Sequence, residues 1–220
     1  DTNSPVCQDT GLAVVFLEIG QDVALSGKYV EDAVNDGVRQ AYENFRKSSV
    51  HPLSRKNSGD NTPAIIHTRI VKGDKVKVSC MMKGFGSENM SRLFMLTPAD
   101  GVEGVVEKVV ETVKDAGSCP CPPVILGVGV GGTMEKAAIM SKHALLNDLD
   151  KENPDEYLSS LEKKMLEKIN ALGIGAEGFR GDVTALRVFI ETENTHIAGL
   201  PVAVTVQCHC SRHGERIIEG

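Results

Sequence analysis

The 220-residue sequence holds no run of basic residues longer than Arg55-Lys56 or Lys163-Lys164, and its formal net charge is −6. A polyanion is bound by concentrated positive charge, so no nucleic-acid partner is expected. Missing too is any apolar stretch near the roughly 18–20 residues that span a bilayer, so no membrane span is expected. The longest apolar runs, around Val124–Val130 and Leu200–Val206, are strand-sized. No internal repeat or low-complexity segment is visible, a signal peptide is not expected, and the expected location is the cytoplasm. An initiating methionine is absent as well. The chain starts at Asp1 and opens almost at once on a motif, so the natural N-terminus is expected to be missing. Finally, no Cys-x-x-Cys occurs among the six cysteines, which argues against a redox disulfide of that type. A chain this long and acidic is not a small disulfide scaffold either.

Hydrophobic residues make up 41%, enough for one sizeable core or two small ones. Leu12–Ile19 reads as a buried strand. Tyr29–Lys47 reads as a helix, with Val30, Val34, Val38, Ala41 and Phe45 at helical spacing. Ser48–Pro63 is a long polar loop. Ala64–Val71 and Lys75–Met81 alternate like strands, and Gly73-Asp74 between them suggests a hairpin. Further on, a valine-rich helix spans Val102–Val113, with Gly117 to close it, and a buried strand spans Val124–Val130. A helix capped by Thr133 follows to Leu146. Another covers Pro154–Leu172, with Asn153 as cap, Glu156 completing a capping box and Gly173 as stop. Strands at Ala185–Glu191 and Pro201–Val206 finish the pattern. The expected class is α/β, one domain over residues 1–220, with mixed sheets, packed helices and a site on loops at strand ends.

The thiols mark that site. Cys80 lies in a strand with Val76 and Val78 and reads as core. Cys7, Cys119, Cys121, Cys208 and Cys210 instead lie among turn and polar residues, where backbone can approach a bulky ligand. Structural zinc is one option, although zinc pairs usually have longer spacers than Cys-x-Cys. An iron–sulfur cluster is another, since thiolates are its normal ligands. Composition does not choose between them. Gly127-Val128-Gly129-Val130-Gly131-Gly132 satisfies a dinucleotide fingerprint, but no acidic residue ends a following strand at the required place.

Five stretches together resemble the alpha subunit of class I, iron–sulfur fumarate hydratases and L-tartrate dehydratases. They are Val6-Cys7-Gln8-Asp9-Thr10-Gly11, Asn57-Ser58-Gly59-Asp60-Asn61-Thr62-Pro63, Lys83-Gly84-Phe85-Gly86-Ser87-Glu88-Asn89-Met90, Cys121-Pro122-Pro123 with Gly127–Thr133, and His196–Val204 followed by Cys208-His209. The resemblance covers nearly the whole chain. It implies a 4Fe-4S cluster on Cys7, Cys121 and Cys208, with Cys119 and Cys210 as close alternatives. It also implies substrate contacts from Gln8, Asp9, Arg46 and Gly86, and proton transfer or orientation by Asp9 and His196.

The implied reaction is reversible hydration of fumarate to malate, with L-tartrate dehydration as the alternative and a non-catalytic metal-binding domain as the rival outside enzymes. Such chemistry clamps carboxylates, activates water at a Lewis-acidic metal and moves a proton at carbon. An arginine such as Arg46 can grip a carboxylate through two parallel bonds. At a helix end, though, its charge is favourable in any case. The family also draws on residues from a second domain or subunit that nothing here resembles. The expected partners are therefore a beta subunit, in a hetero-oligomer, and a small dicarboxylate. An open cluster iron further implies sensitivity to oxygen.

Overall fold

Leu12–Gly20 is apolar at nearly every position and becomes a strand (β1) with a neighbour on each edge. The computed structural model describes residues 7–219, so the Val6 that opens the first motif lies outside it. The chain divides into two compact units, one running to Phe85 and taking up Ser211 onward, the other spanning Gly86–Cys210.

In the first unit, β2 (Ile65–Val71) pairs parallel with β1, and β3 (Lys75–Lys83) pairs antiparallel on its other edge. The late strand β8 (His213–Glu219) extends the sheet to the order β2-β1-β3-β8. Ala13, Val15, Leu17 and Ile19 point to one face, where Val38 of helix α1 (Val30–Ala41) and Tyr42 cover them. The expected hairpin of β2 and β3 does not form. Local alternation and Gly73-Asp74 suggested it, but the more apolar β1 takes the place between them and gains two partners. The connection passes over the end of β1, where Gln21 N–H donates to Val71 O at 2.8 Å and Asp22 N–H to Gly73 O at 3.0 Å. Gly20 is required at this crossing, since a Cβ there would lie 2.3 Å from Gly73 O.

Helix α1 also stops earlier than its periodicity suggested. Tyr42 leaves helical geometry and turns inward to 1% exposure, whereas Phe45 is 57% exposed. Six residues of apparent helix are thereby released to form a loop.

The second unit has a sheet of order β4-β7-β5-β6, made of β4 (Arg92–Leu96), β5 (Val124–Gly131), β6 (Ala185–Glu193) and β7 (Leu200–Cys208). Strands β5 and β6 are parallel, and β7 runs antiparallel to β4 and β5. On one face, Val105, Val106, Val109 and Val113 of α3 (Gly101–Ala116) and Met165 and Ile169 of α5 (Glu156–Asn170) cover the sheet. On the other lies α4 (Met134–His143). With both faces covered, β5 reads as a continuous apolar run instead of alternating.

The caps differ from expectation. Asp155, not Asn153, caps α5, accepting from Tyr157 N–H at 2.9 Å and Leu158 N–H at 3.2 Å. Asn153 instead donates to Glu162 Oε1 and Ile190 O. Thr133 makes no side-chain cap on α4; its hydroxyl donates to Glu135 at 2.7 Å. Among the described residues, no helix is long and apolar enough to cross a membrane.

Candidate active site

The loop from Cys7 to Gly11, entering β1, is held by donors from distant parts of the first unit. Three consecutive carbonyls are taken in turn. Arg46 Nη2 donates to Gln8 O at 3.1 Å, Arg212 Nη2 to Asp9 O at 2.7 Å, and Tyr42 Oη to Thr10 O at 2.7 Å. The Asp9 carboxylate is gripped as well, with Gly11 N–H on Oδ1 at 2.8 Å and Phe85 N–H on Oδ2 at 2.8 Å. Phe85 opens the one-turn helix α2 (Phe85–Glu88). A Cβ at Gly84 would come 3.1 Å from Asp9 Oδ2, so the start of the Lys83–Met90 motif closes tightly on this side chain. Asp9 N–H points at Cys7 Sγ, 3.4 Å away, and Cys7 and Gln8 remain exposed.

Arg46 is exposed at the foot of the loop, and its base is fixed by the Asn57–Pro63 motif. Asn61, 0% exposed, accepts from Ser48 N–H and from Ser49 N–H and donates to Arg46 O at 3.3 Å. Thr10 Oγ1 also donates to Arg46 O, at 3.0 Å. The structure thus brings Cys7, Gln8, Asp9 and Arg46 together. Within the motif, the Thr62 hydroxyl and amide, then Arg39, hold the Asp60 carboxyl down at about 2. A lowered folded value stabilises above the unfolded one, about 3.9, and that contribution disappears as pH falls through about 2. Acid unfolding should therefore separate wild type from Asp60→Asn above about pH 4 and bring the two curves together toward pH 2. Curves offset equally at every pH would refute this role.

In the second unit, Cys121 and Cys208 stand at the same end of the sheet. Cys208 ends β7 opposite Val124, the first residue of β5, and Cys121 lies three residues before it. Cys121 adopts a left-handed conformation (φ 54°), and the Pro122-Pro123 peptide is cis. His209 Nδ1 donates to Cys121 O at 3.1 Å and lies 3.9 Å from Glu177 Oε1, placing the Cys208 turn beside Cys121. Cys121 is exposed and Cys208 half-buried, whereas Cys210 is 6% exposed. Cys119, also exposed, points its carbonyl toward Gly86, where a Cβ would sit at an ordinary 3.7 Å. Nothing in this unit's packing therefore demands glycine at Gly86. An exposed thiol on a left-handed turn and a half-buried one at a strand end are donors of the kind an iron–sulfur centre takes. Among the described residues, no three His, Cys, Asp or Glu side chains gather as a metal-binding group.

His196 is placed elsewhere. It sits exposed in the turn between β6 and β7, its Nδ1 accepting from Ala198 N–H at 3.2 Å. That turn feeds the start of β7, and eight strand residues separate it from Cys208, roughly 25 Å. The second unit therefore does not bring His196 to the cysteine end. The Gly127–Gly132 run is explained by packing. Gly127 and Gly129 lie inside β5 against the backbone of α4, not in a loop that could cradle a phosphate. Sequence reasoning missed Lys83, Tyr42, Arg212 and Glu177. The only signal for Lys83 was its place at the head of the Gly84-Phe85-Gly86 motif.

One unit thus presents a carboxylate held on both oxygens in a loop that also binds an arginine, and the other presents thiols at one end of its sheet. The chain belongs to the fumarate hydratase (Fumerase) family of hydro-lyases, whose model matches residues 1–217. It is 43% identical over 228 aligned positions to a Methanocaldococcus jannaschii protein provisionally named L(+)-tartrate dehydratase subunit alpha, covering 100% of this chain and 80% of the relative. It is 32% identical over 225 positions to the L(+)-tartrate dehydratase subunit alpha of Escherichia coli, covering 99% and 74%.

Proposed function

We propose that this chain is the alpha subunit of an iron–sulfur hydro-lyase that interconverts fumarate and malate and is active only with a beta subunit. The observation that carries this reading is the Cys7-Gln8-Asp9 loop, fixed at three successive carbonyls and at the Asp9 carboxylate, in a chain matching the fumarate hydratase family. A carboxylate held on both oxygens, in the same loop whose carbonyls take Arg46 and Arg212, favours a working site over a purely structural metal-binding domain. Cys7, Cys121 and Cys208 would hold a 4Fe-4S cluster, which when bound supplies Lewis acidity at an open iron.

The chain's own side chains orient the substrate and handle its proton. Arg46 spends one N–H on Gln8 O and has further donors for a substrate carboxylate. The Gln8 amide, exposed beside Cys7, can donate to the same group. Asp9 accepts one N–H on each oxygen and keeps lone pairs with which to exchange a proton at the substrate carbon. Gly86 leaves room for close approach of the substrate. His196, marked by its motif, lies at the end of the sheet away from this chain's own Cys208, so as a proton-transfer or orienting residue it would act only at a site completed by another chain.

A second reading, L-tartrate dehydratase alpha subunit, is favoured by the names of both relatives. The test is anaerobic dehydration of malate and of L-tartrate by the chain together with its beta partner. Turnover of malate supports the first reading and turnover of tartrate alone the second. Activity on neither would overturn both.

A further inference from the structure

Each N–H that grips Asp9 belongs to a peptide whose carbonyl is itself pinned. Gly11 N–H, on Asp9 Oδ1, shares a peptide with Thr10 C=O, which accepts from Tyr42 Oη at 2.7 Å. Phe85 N–H, on Asp9 Oδ2, shares a peptide with Gly84 C=O, which accepts from Lys83 Nζ at 3.1 Å. The two pinning side chains come from different elements, the end of α1 and the end of β3, and each is 1% exposed. A lysine so deeply buried is uncommon, because taking an ammonium out of water is costly. Its placement here fixes the orientation of one peptide plane and polarises it. A donor on the carbonyl strengthens the N–H on the far side, since hydrogen bonds in a chain reinforce one another. Burial also pushes the Tyr42 phenol up to about 12, so it stays a donor throughout the neutral range.

We infer that Tyr42 and Lys83 are positioning residues that set the Asp9 carboxylate through these two peptides. The inference rests on the hydro-lyase reading for its catalytic consequence, but the positioning itself can be measured without turnover. Tyr42→Phe removes only a hydroxyl, and Lys83→Met replaces the ammonium with an apolar side chain of similar length. Val38→Ala, in the same core, serves as a control for general destabilisation.

The first readout is residue-resolved amide hydrogen exchange. Gly11 N–H should exchange about tenfold faster in Tyr42→Phe, and Phe85 N–H in Lys83→Met, while strand amides of β1 keep wild-type rates. Val38→Ala should lower the melting temperature without this selectivity. The second readout is steady-state kinetics of the assembled enzyme. Each variant should lose about ten- to a hundredfold in kcat, with KM changed less than about threefold. Wild-type exchange at Gly11 and Phe85 in the variants would overturn the inference, as would unchanged kcat alongside an active wild type. A wild type without turnover sinks the hydro-lyase reading instead, and the exchange rates then decide the positioning alone.

Discussion

Gly127→Ala should cost the second unit about 3 kcal/mol or more, at or above the upper end of ordinary over-packing. A Cβ at this position would lie 1.9 Å from Ser141 O and 3.0 Å from Leu145 Cγ. One step along the same face, a Cβ at Gly129 would lie 2.1 Å from Ala137 O. These neighbours are mostly backbone of α4, which cannot swing aside as a flexible side chain does. The helix would have to lift from β5 and open the surface it covers. A unit of this size should then melt on the order of 10 °C lower. Gly214→Ala is the contrast, since nothing lies within 4 Å of a Cβ there. Thermal melts that cannot tell Gly127→Ala from wild type would show that helix and strand do not pack this closely.

Asp9→Asn should lower turnover by about 10²- to 10⁴-fold, the range for loss of a positioned acid or base. The carboxamide fails in two ways. It cannot exchange the proton, and its NH2 end must face one of the N–H groups, Gly11 or Phe85, that now point at an oxygen. Gly11 is buried, and a buried donor left in that state costs about 1–3 kcal/mol, whereas the exposed Phe85 N–H can turn to water, so the loop should loosen as well. Turnover of the assembled enzyme on its better substrate is the measurement, with Asp74→Asn in the exposed β2–β3 turn as control. Near wild-type turnover in Asp9→Asn would remove Asp9 from the chemistry.

Long, strongly patterned segments were legible from sequence. β1, α3 and β5 stand where their apolar runs put them, because burial dominates there. Pairing was less legible. Gly73-Asp74 looks like a hairpin turn, yet β1 inserts between the flanking strands, a long-range choice no local pattern records. β8 escaped notice because every residue in it is exposed, which leaves no alternation to read. In α1, Phe45 kept the helical spacing but Tyr42 ended the helix by turning its hydroxyl to Thr10 O.

At the site, the motifs named Cys7, Gln8, Asp9 and Arg46, and the structure gathers these four. What holds them was not legible, since Arg212 lies 203 residues from the carbonyl it binds and Lys83, at the end of β3, is a lysine buried where sequence reading expects one exposed. His196 shows the reverse. Its motif marks it, and the antiparallel course of β7 sets it at the end of the sheet away from Cys208.

The central claim is that three thiolates of this chain hold an iron–sulfur cluster. Its most direct test is anaerobic reconstitution with iron and sulfide, read by visible absorption and iron content, on wild type and on Cys7→Ser, Cys121→Ser, Cys208→Ser and Cys80→Ser. The account predicts a broad visible absorption and about four irons per wild-type chain. Both should be kept in Cys80→Ser, lost in the other three variants and bleached by air. No cluster in wild type, with tight zinc held by Cys119, Cys121, Cys208 and Cys210 instead, would contradict it and make this chain a structural metal-binding domain.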